Sequence, residues 1–162
     1  MIEVSDMEFS IPVELPLDAD GFIRRECPHC EQKFKWHSGP ANAEAEQQPA
    51  PETYYCPLCG QPAGLDSWWT REQLEYAEEA ATPTIMEAMD AEVDKMFKGV
   101  KSTNIKVTRT GRLHTPEPPM PITEPNDMVI VTSPCHAWEP IKVPEERTGR
   151  LHCLLCGAAF AV

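Results

Sequence analysis

Two Cys-x-x-Cys pairs constrain the first half of this chain more than any other feature. The pairs are Cys27/Cys30 and Cys56/Cys59, and 25 residues lie between them. A Cys-x-x-Cys turn directs two thiolates at one metal ion, and two such turns complete a tetrahedral four-cysteine site. Cysteines that serve only as small buried hydrophobes rarely occur as two such pairs. The spacing therefore predicts a metal centre formed by these four cysteines.

The residues around these turns resemble the zinc-ribbon and rubredoxin-like proteins. Residues 56–60, Cys-Pro-Leu-Cys-Gly, are similar to a rubredoxin turn, in which proline and glycine shape the backbone and N–H groups point at sulfur. In the first turn Glu31 stands where that glycine is expected, and residues 33–36 look more like a zinc ribbon. The resemblance covers residues 21–66. It implies a ribbon fold that holds zinc, with iron as the less favoured metal, and it does not define a function.

A second metal site is predicted near the C-terminus. Residues 153–157 repeat the Cys-x-x-Cys-Gly pattern, and one further cysteine remains. Three thiolates need one more ligand to complete a tetrahedral site, and histidine is the usual choice. His152 lies on the strand that enters the turn, so its side chain is expected to point away. The predicted ligands are Cys135, His136, Cys153 and Cys156.

Two alternatives stay open at this second site. Water can take the fourth position, which would give an open and catalytic zinc. The three cysteines can also be buried without any metal. No glycine-rich phosphate loop, Gly-x-Ser-x-Gly motif or His-Glu-x-x-His motif occurs in the sequence. We therefore expect two structural zinc ions and no enzymatic activity.

Composition narrows the possible partners and the compartment. The net charge of −12 argues against a general binder of nucleic acids or anionic membranes, since both need a positive field. No apolar run is long enough to span a membrane, and residues 1–20 do not resemble a signal peptide. Thiolate metal sites without a secretion signal indicate a cytoplasmic protein.

The middle of the chain is predicted to be helical. Thr70 is the expected N-cap of a helix that runs to residue 98, and Thr82-Pro83 is expected to break or restart it. Residues 71–94 carry eight acids against one arginine, which is typical of a solvated face. Apolar residues then follow at helical spacing, and we favour core packing for them over a surface that docks a partner. They are Ile85, Met89, Val93, Met96 and Val100.

Strands are predicted on both sides of this helix. Alternation of Phe9, Ile11, Val13 and Leu15 predicts a strand that forms a hairpin with residues 22–26. Further strands are expected at residues 34–37, 53–55 and 128–132. Residues 105–114 and 141–152 both read Ile-Lys-Val, a spacer and Arg-Thr-Gly-Arg-Leu-His, and each is predicted to form a β-hairpin.

These patterns predict a small α+β fold that is stabilised by metal. The expected segments are an N-terminal hairpin and zinc ribbon (1–69), a helical segment (70–100) and a C-terminal hairpin repeat with the second zinc turn (101–162). The favoured function is that of a structural zinc protein that binds another protein as an adaptor or accessory module. The sequence does not indicate an oligomeric state.

The alternative function is nucleic-acid binding by a zinc ribbon. It would use a basic patch around the first turn and a basic strip that follows the helix. The patch is Arg24, Arg25, Lys33 and Lys35, and the strip runs from Lys95 to Arg112.

Overall fold

The protein combines eight short strands with one long helix over the part described by the structure, a computed structural model covering residues 10–100 and 103–162. This confirms the predicted α+β class with hairpins in both halves. Two 3-10 turns occur at Ala45–Gln47 and Leu65–Ser67. The strands and the helix are β1 (Phe22–Glu26), β2 (Lys33–His37), β3 (Thr53–Tyr55), β4 (Pro62–Gly64), α1 (Arg71–Gly99), β5 (Val129–Val131), β6 (Ile141–Val143), β7 (Arg150–His152) and β8 (Ala159–Ala161).

The chain divides into two compact units by its internal contacts. One unit, here called the ribbon unit, consists of Leu15–Leu74 and Ile122–Val162. The other, here called the arm unit, consists of Met1–Glu14 and Glu75–Pro121. The ribbon unit thus combines segments from both halves of the chain. The three-part division by sequence (1–69, 70–100, 101–162) stays a prediction.

One antiparallel sheet of four strands organises the ribbon unit. Its strand order is β1-β2-β6-β5, so β2 from the first half of the chain pairs directly with β6 from the second. The other strands form two separate hairpins, β3-β4 and β7-β8. Each of these hairpins has a Cys-x-x-Cys turn at its tip.

The core of the ribbon unit lies between this sheet and the two hairpins. Trp68 and Phe34 are completely buried, and their rings meet edge to face with centroids 5.7 Å apart. Trp36 packs against Trp68 in the same way at 6.0 Å. Burial of aromatic rings supplies large apolar area to a small domain. The same core includes Cys27 and Cys56 from the first two Cys-x-x-Cys turns and Leu154 from the third. Its buried members are Ile23, Cys27, Phe34, Trp36, Cys56, Leu58, Trp68, Ile141, Val143, Leu151 and Leu154.

The start of α1 agrees with the predicted cap. The Gln73 N–H donates to Oγ1 of Thr70 at 3.1 Å, and the Thr70 N–H donates to the Gln73 side chain at 3.1 Å. This reciprocal pair is a capping box, which satisfies two N–H groups at the helix terminus. Gln73 also donates to the carbonyl of Arg24 at 2.9 Å, so the cap is attached to β1.

The predicted break at Thr82-Pro83 is wrong, because α1 continues without interruption from Arg71 to Gly99. Pro83 removes one helical hydrogen bond, but the residues on both sides keep helical geometry. The Thr82 hydroxyl donates to the Glu78 carbonyl at 2.7 Å, which gives that carbonyl an additional partner beside the proline.

Two predicted strands do not form. Residues 10–15 are not in a strand, although Ile11, Val13 and Leu15 are partly buried while their neighbours are exposed, and Phe9 lies outside the described residues. Residues 105–114 form no hairpin. In the arm unit this segment instead contacts α1, because Arg109 forms ion pairs with Asp90 and Asp94. The hairpin predicted at residues 141–152 is also wrong, because β6 pairs with β2 and β5 while β7 pairs with β8.

Within the described ranges, no helix is both long enough and apolar enough to cross a bilayer.

Candidate metal centres

The three Cys-x-x-Cys turns share one backbone conformation. In each, the residue after the second cysteine has a positive φ and donates its N–H to the carbonyl of the first cysteine. The φ angles are 58° at Glu31, 77° at Gly60 and 71° at Gly157. The corresponding N···O distances are 2.9, 2.8 and 2.9 Å. The turns therefore present their thiols in the same way, whichever residues fill the intervening positions.

Glu31 adopts the conformation that glycine adopts in the other two turns. The sequence suggested that Glu31 sets the first turn apart from a rubredoxin-like turn. In the structure the first turn has the same conformation as the other two, with Glu31 in the left-handed region. This conformation is about 1–2 kcal/mol less favourable for an L-residue than the right-handed one. The Glu31 side chain is exposed, so it avoids the close packing found beside Gly60 and Gly157.

The first and second turns bring four thiols together as centre 1. The sulfur atoms of Cys27, Cys30, Cys56 and Cys59 lie within 4.8 Å of one another. Two of these separations, Cys27–Cys59 and Cys30–Cys56, are 3.7 and 3.8 Å. A tetrahedral zinc with Zn–S bonds of about 2.3 Å requires sulfur atoms about 3.8 Å apart, whereas a disulfide requires about 2.05 Å. The spacing fits four thiolates around one ion and excludes disulfides.

The third turn and the connection between β5 and β6 form centre 2. Cys135, His136, Cys153 and Cys156 place one ligand atom each within 4.8 Å of the others. The sulfur atoms of Cys135 and Cys156 are 3.5 Å apart, and Nδ1 of His136 lies 3.3 Å from the Cys153 sulfur. Both sequence-predicted ligand sets are therefore brought together, and both can hold a metal ion.

Ser133 positions the ligands of centre 2, a role that the sequence analysis missed. Its hydroxyl accepts the His136 N–H at 3.2 Å and donates to the Cys153 sulfur at 3.3 Å. The first bond closes a Ser-Pro-Cys-His turn, which allows the adjacent Cys135 and His136 to face one point. A serine three residues before a candidate ligand is a recognisable turn signal.

The remaining histidines do not join either centre. The His152 ring lies against Gly60, which agrees with the prediction that it points away from its own turn. Nε2 of His29 lies 3.0 Å from the Pro62 carbonyl, and Nδ1 of His37 lies 3.1 Å from the Gly39 carbonyl. His114 belongs to the arm unit and is exposed.

Electrostatics also favour a cation at both centres. Burial raises the pKa of the Cys56 thiol far above its ordinary value. Partial desolvation, together with the neighbours Cys135 and Cys153, raises the pKa of the exposed Cys156 to about 11. Burial also opposes ionisation of Cys27, but N–H donors from Cys30 and His29 outweigh it and lower that pKa. Several thiolates this close repel one another, and a bound metal ion removes that repulsion.

The second and third turns contact each other with approximate two-fold symmetry. The Tyr55 N–H donates to the Leu154 carbonyl at 2.8 Å, and the His152 N–H donates to the Pro57 carbonyl at 2.9 Å. Tyr55 and His152 are the residues that precede the two turns, and Pro57 and Leu154 occupy equivalent places within them. The two candidate centres are therefore joined through direct backbone contacts.

A buried ionic cluster lies beside the sheet and was not predicted. Lys35 and Lys142 face each other across β2 and β6, and both are almost completely buried. Both ammonium groups bond to Oδ2 of Asp18, at 3.1 and 2.8 Å. Burial alone would raise the pKa of Asp18, but bonds from Lys142, the Phe22 N–H and Lys35 hold it below its ordinary range. The cluster satisfies charges that would otherwise be costly to bury.

The predicted basic patch around the first turn is largely neutralised within the ribbon unit. Arg24 pairs with Glu124 and Asp127 at 2.8 and 2.6 Å, and Lys35 belongs to the buried cluster. The Arg25 guanidinium lies 4.7 Å from both the Trp36 and the Trp69 ring centroids, and burial lowers its pKa to about 10. Lys33 is partly exposed, 3.7 Å from Glu72.

Comparison with protein-family models, with curated protein sequences and with solved structures finds no match to this chain.

Proposed function

We propose that this protein is a structural zinc module that binds a partner protein through residues 75–99 of α1, here called the helical arm. Zinc is the metal that best suits the donor sets, four thiolates at centre 1 and three thiolates with one imidazole at centre 2. Neither donor set requires a redox-active metal. The expected role of both ions is to stabilise the ribbon unit.

The metal assignment is tested by counting ions in the full chain. Native mass spectrometry and elemental analysis should find two zinc ions per molecule and no iron. The Cys56→Ser variant should retain at most the ion at centre 2. A colourless wild-type protein with two zinc ions supports the assignment, whereas a red protein that contains iron at centre 1 contradicts it.

The exposure of the helical arm is the observation that carries the proposed partner binding. Gln73 is the only buried residue of α1, and it belongs to the ribbon unit. The apolar stripe that we expected to form core is not buried, since Met89 and Met96 are 45% and 67% exposed. Phe97 is also 40% exposed. A long helix with an open apolar surface is typical of a segment that docks into a groove on another protein.

Charge indicates what kind of groove the helical arm fits. Glu78, Glu79 and Glu87 are exposed along it. Arg109 pairs with Asp90 and Asp94 but with none of these three. The complementary partner is a protein with an apolar groove and a basic rim, because complementary charge steers encounter and sets orientation.

The docking surface is tested with a triple variant, Met89→Ala, Met96→Ala and Phe97→Ala. The tagged full chain should capture a protein partner from its source cells after nuclease treatment, and the triple variant should lose that partner. Met120→Ala is the matched control, because Met120 is 87% exposed in the same unit but lies outside the helix. A partner that binds all three proteins equally contradicts docking by the helical arm.

The nucleic-acid alternative predicts a different result in the same experiment. It depends on free basic groups, but Arg24 and Lys35 are paired internally and Lys95 lies 2.5 Å from Glu92. Lys101 of the basic strip lies outside the described residues. Nucleic-acid binding would be lost on nuclease treatment and would weaken steeply with added salt. We expect neither effect.

A further inference from the structure

The two centres differ in how exposed their cysteine residues are. At centre 1 Cys27 and Cys56 are 1% and 0% exposed, and Cys30 and Cys59 are partly buried. At centre 2 both Cys135 and Cys156 are exposed, and only Cys153 is buried among the thiols. Reaction of a thiolate with a small electrophile requires access to the sulfur atom. The two centres should therefore differ in reactivity even if both hold zinc.

We propose that Cys135 and Cys156 form a peroxide-reactive pair, whose oxidation to a disulfide releases the metal from centre 2 and leaves centre 1 intact. The inference rests on the proposed function in one respect, namely that both centres carry zinc. It adds a reaction and a class of reactant, a hydroperoxide, to a site that would otherwise only stabilise the fold.

The geometry selects this pair among the three thiols of centre 2. The sulfur atoms of Cys135 and Cys156 lie 3.5 Å apart, so a movement of about 1.5 Å brings them to the disulfide length. Cys153 is 1% exposed and accepts a hydrogen bond from Ser133, which shields it. Cys135 is itself exposed and lies at a bend in the connection between β5 and β6.

The chemistry balances with the peroxide as the only oxidant. One exposed thiolate attacks a peroxide oxygen, the O–O bond breaks, and a sulfenic acid and a hydroxide form. The second thiolate then attacks the sulfenic sulfur, the S–S bond forms and a second hydroxide leaves. With hydrogen peroxide, two thiolates lose one electron each, and the two hydroxide ions take up two protons from the buffer to give two water molecules.

The consequence for centre 2 follows from its ligand count. The disulfide removes two of four ligands, and Cys153 with His136 cannot complete a closed tetrahedral site. The new covalent bond connects the β5–β6 segment to the third turn, as the metal did. We therefore expect the ribbon unit to persist in the oxidised protein, so that a thiol reductant and zinc restore the starting state.

The experiment uses the full chain, first shown to carry two zinc ions. Hydrogen peroxide is added in the presence of a chromogenic zinc chelator, and disulfides are mapped by mass spectrometry of unreduced peptides. One zinc ion per chain should leave in a fast phase, together with a Cys135–Cys156 link, while the cysteines of centre 1 stay reduced. Release of both ions in one phase, or a first disulfide within centre 1, overturns the proposal.

Two variants make the test specific. Cys135→His keeps a metal ligand at the position but cannot form the disulfide, so the fast phase should be lost. Cys30→His makes the same change at centre 1 and should retain the fast phase. If Cys135→His releases zinc as fast as the wild type, the proposal is wrong. If it does not hold zinc at centre 2, the wild-type disulfide map decides. A wild-type chain without two zinc ions contradicts the proposed function itself. A chain that holds two zinc ions but forms no Cys135–Cys156 disulfide contradicts only the present inference.

Discussion

The His152 ring covers Gly60 so closely that a Cβ atom on Gly60 would lie 2.8 Å from the ring Cδ2 atom. Gly60 closes the second Cys-x-x-Cys turn, and His152 precedes the third. The contact recurs across the approximate two-fold axis, where a Cβ on Gly157 would lie 2.6 Å from the Tyr55 ring. Glycine is required at both places for close approach of the two turns as well as for positive φ.

Gly60→Ala should therefore destabilise the protein by two additive effects. A positive φ costs a non-glycine residue about 1–2 kcal/mol, and the clash with His152 should add about 1–3 kcal/mol. Gly39→Ala is the matched control, because Gly39 has a φ of 81° and no atom within 4 Å of its added Cβ. Denaturant unfolding of the zinc-loaded variants measures both. Equal destabilisation by the two substitutions would show that the ring contact is not restrictive.

Glu31→Gly should stabilise the protein, because it relieves the positive φ of 58° in the first turn. The relief of about 1–2 kcal/mol is partly offset by the about 0.5–1 kcal/mol that ordering a glycine costs, so we expect a net gain below about 1.5 kcal/mol. Glu31→Ala keeps the Cβ atom and removes only the exposed carboxylate, so its free energy of unfolding should stay close to that of the wild type. A stabilised alanine variant and an unchanged glycine variant would contradict this account.

Local patterns predicted the elements around the metal turns well. Residues 22–26 and 53–55 form strands with the predicted bounds, and Thr70 caps the helix. These features depend on side-chain alternation, on turn chemistry and on capping within a few residues. The ligand sets could also be predicted from the sequence, because cysteine spacing limits which thiols can meet.

Features that depend on distant partners could not be predicted. Lys35 lies between Phe34 and Trp36, so the alternation of side chains along β2 places it on the opposite face of the strand. Alternation alone would assign that face to solvent. The structure covers that face with Asp18 and with residues 124–127 from the other half of the chain. The basic patch was therefore misjudged, although the strand itself was correct.

The failure at residues 105–114 has a similar cause. Both copies of the repeat share a hexapeptide, but only the second copy pairs with β2 and β5 through its Ile-Lys-Val segment. A short strand is not stable without neighbours and a buried face. In the first copy Ile105 is 66% exposed and Leu113 is 38% exposed, whereas Leu151 in the second copy is completely buried.

Asp18→Asn should be strongly destabilising, because it leaves two buried ammonium groups without their shared carboxylate. Removing one partner from a buried ion pair typically costs about 3–5 kcal/mol. Asp66→Asn is the control, since Asp66 is exposed and a surface substitution usually changes stability by less than about 0.5 kcal/mol. Unfolding by denaturant at neutral pH in the presence of added zinc gives the comparison. A loss below about 1 kcal/mol would mean that the carboxylates already beside the two ammonium groups, Glu124 at Lys35 and Asp20 at Lys142, compensate without Asp18.

Glu139 should make stability depend on pH in the direction opposite to a salt-bridged acid. Burial raises the pKa of Glu139, and His37 offsets this only in part. Because the folded-state pKa lies above the unfolded-state value, the folded state loses stability as pH rises from the unfolded pKa through the folded pKa. Glu139→Gln should therefore be more stable than the wild type at pH 8, and the difference should shrink toward pH 5. The exposed Glu146, changed to Gln, should show no such trend.

Removal of metal should unfold the ribbon unit before the helical arm. Cys27 and Cys56 lie in the same core as Trp36 and Trp68, so loss of the ion at centre 1 removes the constraint that holds these rings together. Structural zinc contributes about 10–16 kcal/mol in small zinc domains, more than a core of this size supplies. A chelator should shift tryptophan fluorescence to longer wavelength and leave part of the helical circular dichroism. Added zinc should reverse the shift, and an unchanged emission spectrum after complete zinc removal would show that the core is stable without metal.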